Sequence, residues 1–260
     1  MATNWKATAF DSSIARFLGE AAAVAYLDRV SVDKAVRGWK MQVVRFYDVQ
    51  DTQGFLIQND QAMVLVFRGT QSLKDWMTDA DLNLVNGPGG RVHEGFICAV
   101  NTIWRDLWKL LEEQRAHRAL WITGHSLGAA LATLTAAKIH LEKGHPLNGM
   151  YNFGSPRVGD DQFARSFDAE LAAKTFRFVN NNDIVPRIPF RGLNYRHVGT
   201  FKYFDHTGKL NEKVTWDELL LDRVKGRIDD LLKPGTDGMK DHAMTRYIKN
   251  LVRLLPPKPR

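Results

Sequence analysis

Ser126 stands in Gly124-His125-Ser126-Leu127-Gly128, a hydroxyl with a glycine two residues to either side. In a chain of 260 residues with 20 Gly, such a pentapeptide arises by chance only about 0.04 times, so the spacing asks for a cause. A strand that turns sharply into a helix strains the residue at the turn and crowds its neighbours at ±2, where only glycine or another very small residue fits. Such a turn carries the serine Oγ to the carboxyl edge of a sheet. It also aims a helix N-terminus, with its unused N–H groups, at any oxyanion formed there. The chemistry implied is nucleophilic attack on an acyl carbon. His125 lies within the elbow, on the wrong side to be a base, and reads as packing.

A serine hydroxyl is a weak nucleophile and needs a histidine oriented by a carboxylate. On this kind of elbow the partners follow in the order Ser, acid, His. Asp183, in "TFRFVNNNDIVPRIP", follows a strand-like run at 175–179, and Pro186 and Pro189 constrain the loop beyond it; it is the leading acid. Asp160 and Asp161 open a helix and read as N-caps, and Asp205 falls in a hairpin tip. Of the histidines that follow, His242 lies between a glycine-containing loop and the last helix, beyond the last strand, and is the leading base. His197, at the start of a strand, is the alternative. His206, in a polar hairpin tip, reads as solvated.

The elements that must hold these residues follow from periodicity. Helices are predicted over 11–28, 95–116, 127–143, 159–173, 216–233 and 242–255, with Asp11 or Ser12 as the first N-cap. Strands are predicted over 41–49, 54–58, 62–67, 119–123, 149–153, 175–179 and 196–204, and "NGPGG" at 86–90 reads as a breaker. Strand and helix alternate through the middle of the chain, which predicts an α/β fold with a mostly parallel sheet covered on both faces. No repeat or linker divides residues 1–260, so one domain is expected.

Motifs in order then carry a resemblance: "VFRGTQSLKDWMTD" (66–79), "VHEGF" (92–96), "TGHSLGAALATL" (123–134), "NFGSPRVGDDQFA" (152–164), "RFVNNNDIVPRIP" (177–189), "YRHVGTFKYF" (195–204) and "DHAMTRYI" (241–248). Over about 54–250 the chain resembles the class 3 lipases, the fungal-lipase-like branch of the α/β-hydrolase fold. The resemblance implies Ser126 as nucleophile, Asp183 as acid and His242 as base. It also implies an oxyanion hole built from the backbone N–H groups of Thr70 and Leu127. The strand at 62–67 ends beside the elbow, and Gly69 lets the chain turn its next N–H toward the serine. In the family the segment after "RGT" is a lid. Here Leu73, Trp76, Met77 and Ala80 share one helical face, and Lys74, Asp75, Thr78, Asp79 and Asp81 lie on the other. The chain departs from the secreted fungal pattern in having a single cysteine, Cys98, and a longer segment at 212–240.

The expected function is therefore hydrolysis of carboxylic esters, foremost as a triacylglycerol lipase. The alternatives are a phospholipase A1, a short-chain or feruloyl-type esterase, and a catalytically silent scaffold used for binding. The intact set of Ser126, Asp183, His242 and Thr70 argues against the last. No cofactor is expected and no metal: "DADLN" at 79–83 lacks the glycine and glutamate of a calcium loop, and His93-Glu94 lacks a second histidine at zinc spacing. The net charge is +7, concentrated toward the C-terminus, with no nucleic-acid motif. The expected partners are a lipid or ester substrate and transient contact with a lipid interface. With 44% hydrophobic residues and no apolar run near the ~18–20 residues of a membrane span, the composition is that of an ordinary globular chain. The lone cysteine, and an N-terminus without a basic segment followed by an apolar one, favour a cytoplasmic location.

Overall fold

The computed structural model describes residues 3–50, 52–70, 82–114, 117–189, 191–211 and 237–255. The strands are β1 (Gln42–Val49), β2 (Thr52–Gln58), β3 (Ala62–Phe67), β4 (Leu84–Gly87), β5 (Gly90–His93), β6 (Ala119–His125), β7 (Gly149–Phe153), β8 (Thr175–Asn180), β9 (Thr200–Phe204) and β10 (Leu210–Asn211). The helices are α1 (Ser12–Val24), α2 (Arg29–Gly38), α3 (Glu94–Gln114), α4 (Leu127–Ala137), α5 (Asp161–Leu171), α6 (Asp237–His242) and α7 (Met244–Val252). Eight strands form one sheet in the order β1-β2-β3-β6-β7-β8-β9-β10. From β3 through β9 the neighbours run parallel, and antiparallel pairs close both edges.

Side-chain alternation builds two cores. β3 sends Met63, Leu65 and Phe67 to one face, and Ala62, Val64 and Val66 to the other, all fully buried. The first face receives Val100, Ile103, Leu107 and Leu111 of α3, Leu131 and Leu134 of α4, and Phe163 and Phe167 of α5. The second receives Ile14 and Leu18 of α1, Val32 and Val36 of α2, and Tyr247 and Leu251 of α7. Each large side chain fully buried here contributes roughly 1.5–3 kcal/mol. α4 is buried along almost its whole length, as its alanine content allows, so it can pack closely behind the elbow. Among the described residues no helix is long and apolar enough to cross a membrane.

Some predicted elements differ from those found. The predicted helix over 11–28 ends at Val24, and Asp28 then caps a second helix, α2, through the Ser31 amide. The breaker at 86–90 is the turn of the β4–β5 hairpin, with Gly89 at φ 81°. The strand expected from 196 starts at Thr200. The predicted final helix is split: His242 closes α6, and α7 begins two residues later. The predicted lid residues Leu73, Trp76, Met77 and Ala80, and the predicted helix at 216–233, lie outside the described residues.

Candidate active site

The elbow is built by sheet register. Phe67 at the end of β3 pairs with Gly124, and His125 at the end of β6 pairs with Phe153 at the end of β7. The chain therefore leaves three adjacent parallel strands at one level. Ser126 follows β6 directly, at φ 60° and ψ −130°, a strained backbone for a residue other than glycine. Its amide donates to the Phe153 carbonyl at 3.0 Å. The glycines at ±2 are there for contact. A Cβ on Gly124 would run into the Gly128 carbonyl, and one on Gly128 would lie 2.5 Å from the Phe67 carbonyl oxygen. Leu127 opens α4, so its amide has no partner within the helix. The strand end Arg68-Gly69-Thr70 emerges beside it: a Cβ on Gly69 would sit 3.0 Å from Ser126 Cβ.

Asp183 is placed by the turn after β8, where its amide donates to the Asn180 carbonyl at 2.8 Å. His242 Nδ1 lies 3.0 Å from both of its carboxylate oxygens. The carboxylate also accepts from the Val185 amide at 2.9 Å and the Tyr247 hydroxyl at 2.6 Å. Since a carboxylate only accepts, the His242 proton belongs on Nδ1, and Nε2 presents a lone pair. His242 Nε2 and Ser126 Oγ are both buried, and neither has a hydrogen-bond partner among the described residues. Gly154, at φ 58°, makes room for the pair: a Cβ there would meet Asp183 Oδ2 at 2.8 Å and His242 Nδ1 and Cε1 at 2.9 Å.

A buried polar frame joins the turn that carries Asp183 to the helix that carries His242. Asn180 Nδ2 donates to the Asp241 carbonyl at 2.9 Å, and Asn180 Oδ1 accepts from Asn250 Nδ2 at 2.9 Å. The Asp241 carboxylate accepts from Asn181 Nδ2 at 3.0 Å and the Asn182 amide at 3.2 Å. Burial raises the Asp241 carboxyl above the usual range, and those two donors offset part of the rise. Burial, followed by the Asp183 charge, keeps the Tyr247 hydroxyl protonated and donating. Tyr247, Gly154 and Asn180 carry no signal of their own in the sequence, although all three lie within the family-like motifs.

The other candidates are spent elsewhere. His197 Nε2 donates to the Pro186 carbonyl at 2.7 Å, and burial together with Arg177 and Arg157 holds the ring neutral. His206 is exposed in the β9–β10 turn, where the Asp205 side chain accepts from the Thr207 and Lys209 amides. Asp160 caps α5 through the Phe163 amide at 2.8 Å. His125, read from sequence as packing, stacks on the His242 ring with centroids 4.4 Å apart and bonds through both nitrogens. Among the described residues no group of three His, Cys, Asp or Glu side chains could hold a metal ion.

A mostly parallel sheet with helices on both faces, carrying a serine on a strained strand-to-helix elbow, defines an α/β-hydrolase. The family profile described as lipase (class 3) matches residues 64–193, half of the chain. The chain belongs to the class 3 lipases. It is 37% identical to secreted mono- and diacylglycerol lipase A of Penicillium cyclopium over 159 residues, 58% of this chain and 51% of that protein. It is 30% identical to phospholipase A1-II 1 of Oryza sativa subsp. indica over 209 residues, 67% of this chain and 52% of that one. Lipase II from Rhizopus niveus has a similar solved structure, with a TM-score of 0.65 at 26% identity, covering 75% of this chain and 82% of that one. The chain spans about half the length of the curated relatives it matches.

Proposed function

We propose that this protein hydrolyses carboxylic esters of acylglycerols through an acyl-enzyme on Ser126. One observation carries the reading: Asp183 clasps His242 Nδ1, which leaves Nε2 as a buried lone pair with no competing donor. In the first step Ser126 Oγ attacks the ester carbonyl carbon while His242 Nε2 takes its proton. Asp183 stabilises the imidazolium. The Thr70 and Leu127 amides receive the charge on the carbonyl oxygen, each worth roughly 3 kcal/mol in the transition state. His242 then protonates the departing alcohol. Water, activated by the same nitrogen, splits the acyl-serine ester and releases the fatty acid. No cofactor enters these steps.

The named relatives support acylglycerols as the substrate class, and the rice relative makes a phospholipase A1 the second reading. Mono-, di- and triacylglycerol emulsions, phosphatidylcholine vesicles and graded p-nitrophenyl esters, assayed side by side, separate the two. A fluorophosphonate probe should label wild type at Ser126 and leave Ser126→Ala unlabelled and inactive. Labelling at another serine would overturn the nucleophile. The lid belongs to the same reading: Trp76→Ser should slow hydrolysis of emulsions far more than that of a soluble short-chain ester. Equal losses on both would remove it. The Penicillium relative named as secreted favours export over the cytoplasmic expectation, and fractionation of the producing cells decides between them.

A further inference from the structure

Both nitrogens of the His125 ring are engaged. Nε2 lies 2.7 Å from the His242 carbonyl oxygen, and Nδ1 lies 2.8 Å from the Tyr26 hydroxyl. A carbonyl only accepts, so Nε2 must carry the proton. Burial, with His242 alongside, keeps the ring neutral. Nδ1 is then the acceptor and Tyr26 the donor. The Arg68 guanidinium lies 5.7 Å from the centroid of the Tyr26 ring. Gly69 is wedged in place, since a Cβ there would run into the Tyr26 hydroxyl and come within 2.7 Å of the His125 carbonyl oxygen. The donor directions agree: Tyr26 toward His125, and His125 toward the backbone of His242.

We propose that Tyr26 and His125 are positioning residues that tie the backbone of the base His242 to the strand end carrying the oxyanion donor Thr70. The proposal rests on the assignment of Ser126 and His242 as nucleophile and base. Base and hole come from segments far apart in the chain, after β10 and after β3, and the elbow stands between them. Two hydrogen bonds, with the close contact of Gly69 on the Tyr26 hydroxyl, span all three. His125 also stacks on the imidazole that becomes charged during each turnover. Because its nitrogens are committed, it holds that ring from the side without competing for Nε2. The stacked ring and the fixed carbonyl leave His242 few orientations other than the one Asp183 requires.

Steady-state kinetics on a soluble short-chain ester test this. Tyr26→Phe removes one oxygen and keeps the ring. We expect kcat to fall about tenfold, the rate equivalent of one hydrogen bond, with KM unchanged. His125→Phe keeps the stacking face and loses both bonds, so it should fall further. His125→Gln, which can still donate to the His242 carbonyl, should recover part of the loss. Tyr26→Phe combined with His125→Phe should be no worse than His125→Phe alone, because both act through one chain. Fluorophosphonate labelling at Ser126 should slow in step with kcat. Wild-type kcat and labelling rate in Tyr26→Phe, or losses that simply add in the double variant, would overturn the tie. Neither result touches the assignment of Ser126, which fails separately if wild type labels elsewhere. If His125→Phe does not fold, Tyr26→Phe and His125→Gln still decide.

Discussion

His242 Nδ1 lies 3.0 Å from Oδ1 and 3.0 Å from Oδ2 of Asp183, so the ring faces the carboxylate squarely rather than one oxygen of it. The carboxylate fixes the tautomer, and in the proposed mechanism it balances the imidazolium formed when the serine gives up its proton. Asp183→Asn should keep the shape and lose both effects. We predict a fall in kcat of about 10⁴-fold with the fold intact, as for a base held in the wrong tautomer. Burst kinetics on a p-nitrophenyl ester and circular dichroism check the two halves of that statement. A variant within tenfold of wild type would remove Asp183 from the triad.

Tyr247 ties the acid to its frame twice, accepting from the Asn180 amide at 3.1 Å and donating to Asp183 at 2.6 Å. Tyr247→Phe leaves a buried donor and a buried acceptor short of a partner. Each should cost about 1–3 kcal/mol. The expected outcome is a clear drop in the midpoint of urea denaturation, together with a fall in kcat, since Asp183 loses a donor that holds its charge.

His197 decides a question of sequence reading by its pH behaviour. Burial, aided by Arg177 and Arg157, lowers its pKa well below 6.5, and burial beside His242 does the same for His125. Between the folded pKa and about 6.5, the unfolded chain binds a proton at each site that the folded chain does not. Stability is therefore full above about 6.5 and lost as pH falls below it. His197→Gln can still donate to the Pro186 carbonyl and should remove one proton from that slope, up to about 1.4 kcal/mol per pH unit. Urea titrations at pH 7, 6 and 5 measure it. Ester hydrolysis should persist in this variant; an inactive, stable protein would make His197 the base.

The sequence made legible what depends on local pattern. The central strands β3 and β7 are short, wholly buried runs set off by turn residues and appear where expected, and the Gly124–Gly128 spacing could only serve a turn like the one found. Chain order narrows the acid and base to a few candidates, and loop position after a strand favours Asp183 and His242 over Asp205, His197 and His206. The frame around them leaves no such trace, because it consists of tertiary contacts. Tyr26 follows α1 with nothing in its neighbourhood to mark it, yet its hydroxyl meets a ring 99 positions later. The place of His125 beside Ser126 suggests packing and hides that both of its nitrogens have partners. α2 gives little signal in the sequence, because its few apolar residues, Val32 and Val36 among them, form a narrow buried stripe.

Gly154 offers a test of close packing at the site, since Gly144 provides its control. Both have left-handed backbones, with φ 58° and φ 64°. An alanine at either position carries the strain of that conformation, roughly 1–2 kcal/mol. Around Gly144 an added Cβ would meet nothing within 4 Å, whereas at Gly154 it would press on Asp183 Oδ2 at 2.8 Å and on His242 Nδ1 and Cε1 at 2.9 Å. Neither group can retreat freely. Asp183 is held by Val185 and Tyr247, and His242 by the stacked ring of His125. Gly144→Ala should lose a little stability and keep wild-type kcat. Gly154→Ala should lose more stability and, because Asp183 and His242 must shift by several tenths of an ångström, up to about 100-fold in kcat, as misplacement of a reacting group costs. Thermal denaturation and kinetics on a soluble ester read both variants. Equal activity in the two would show that the acid and base tolerate displacement, and that the tight contact at Gly154 serves the fold alone.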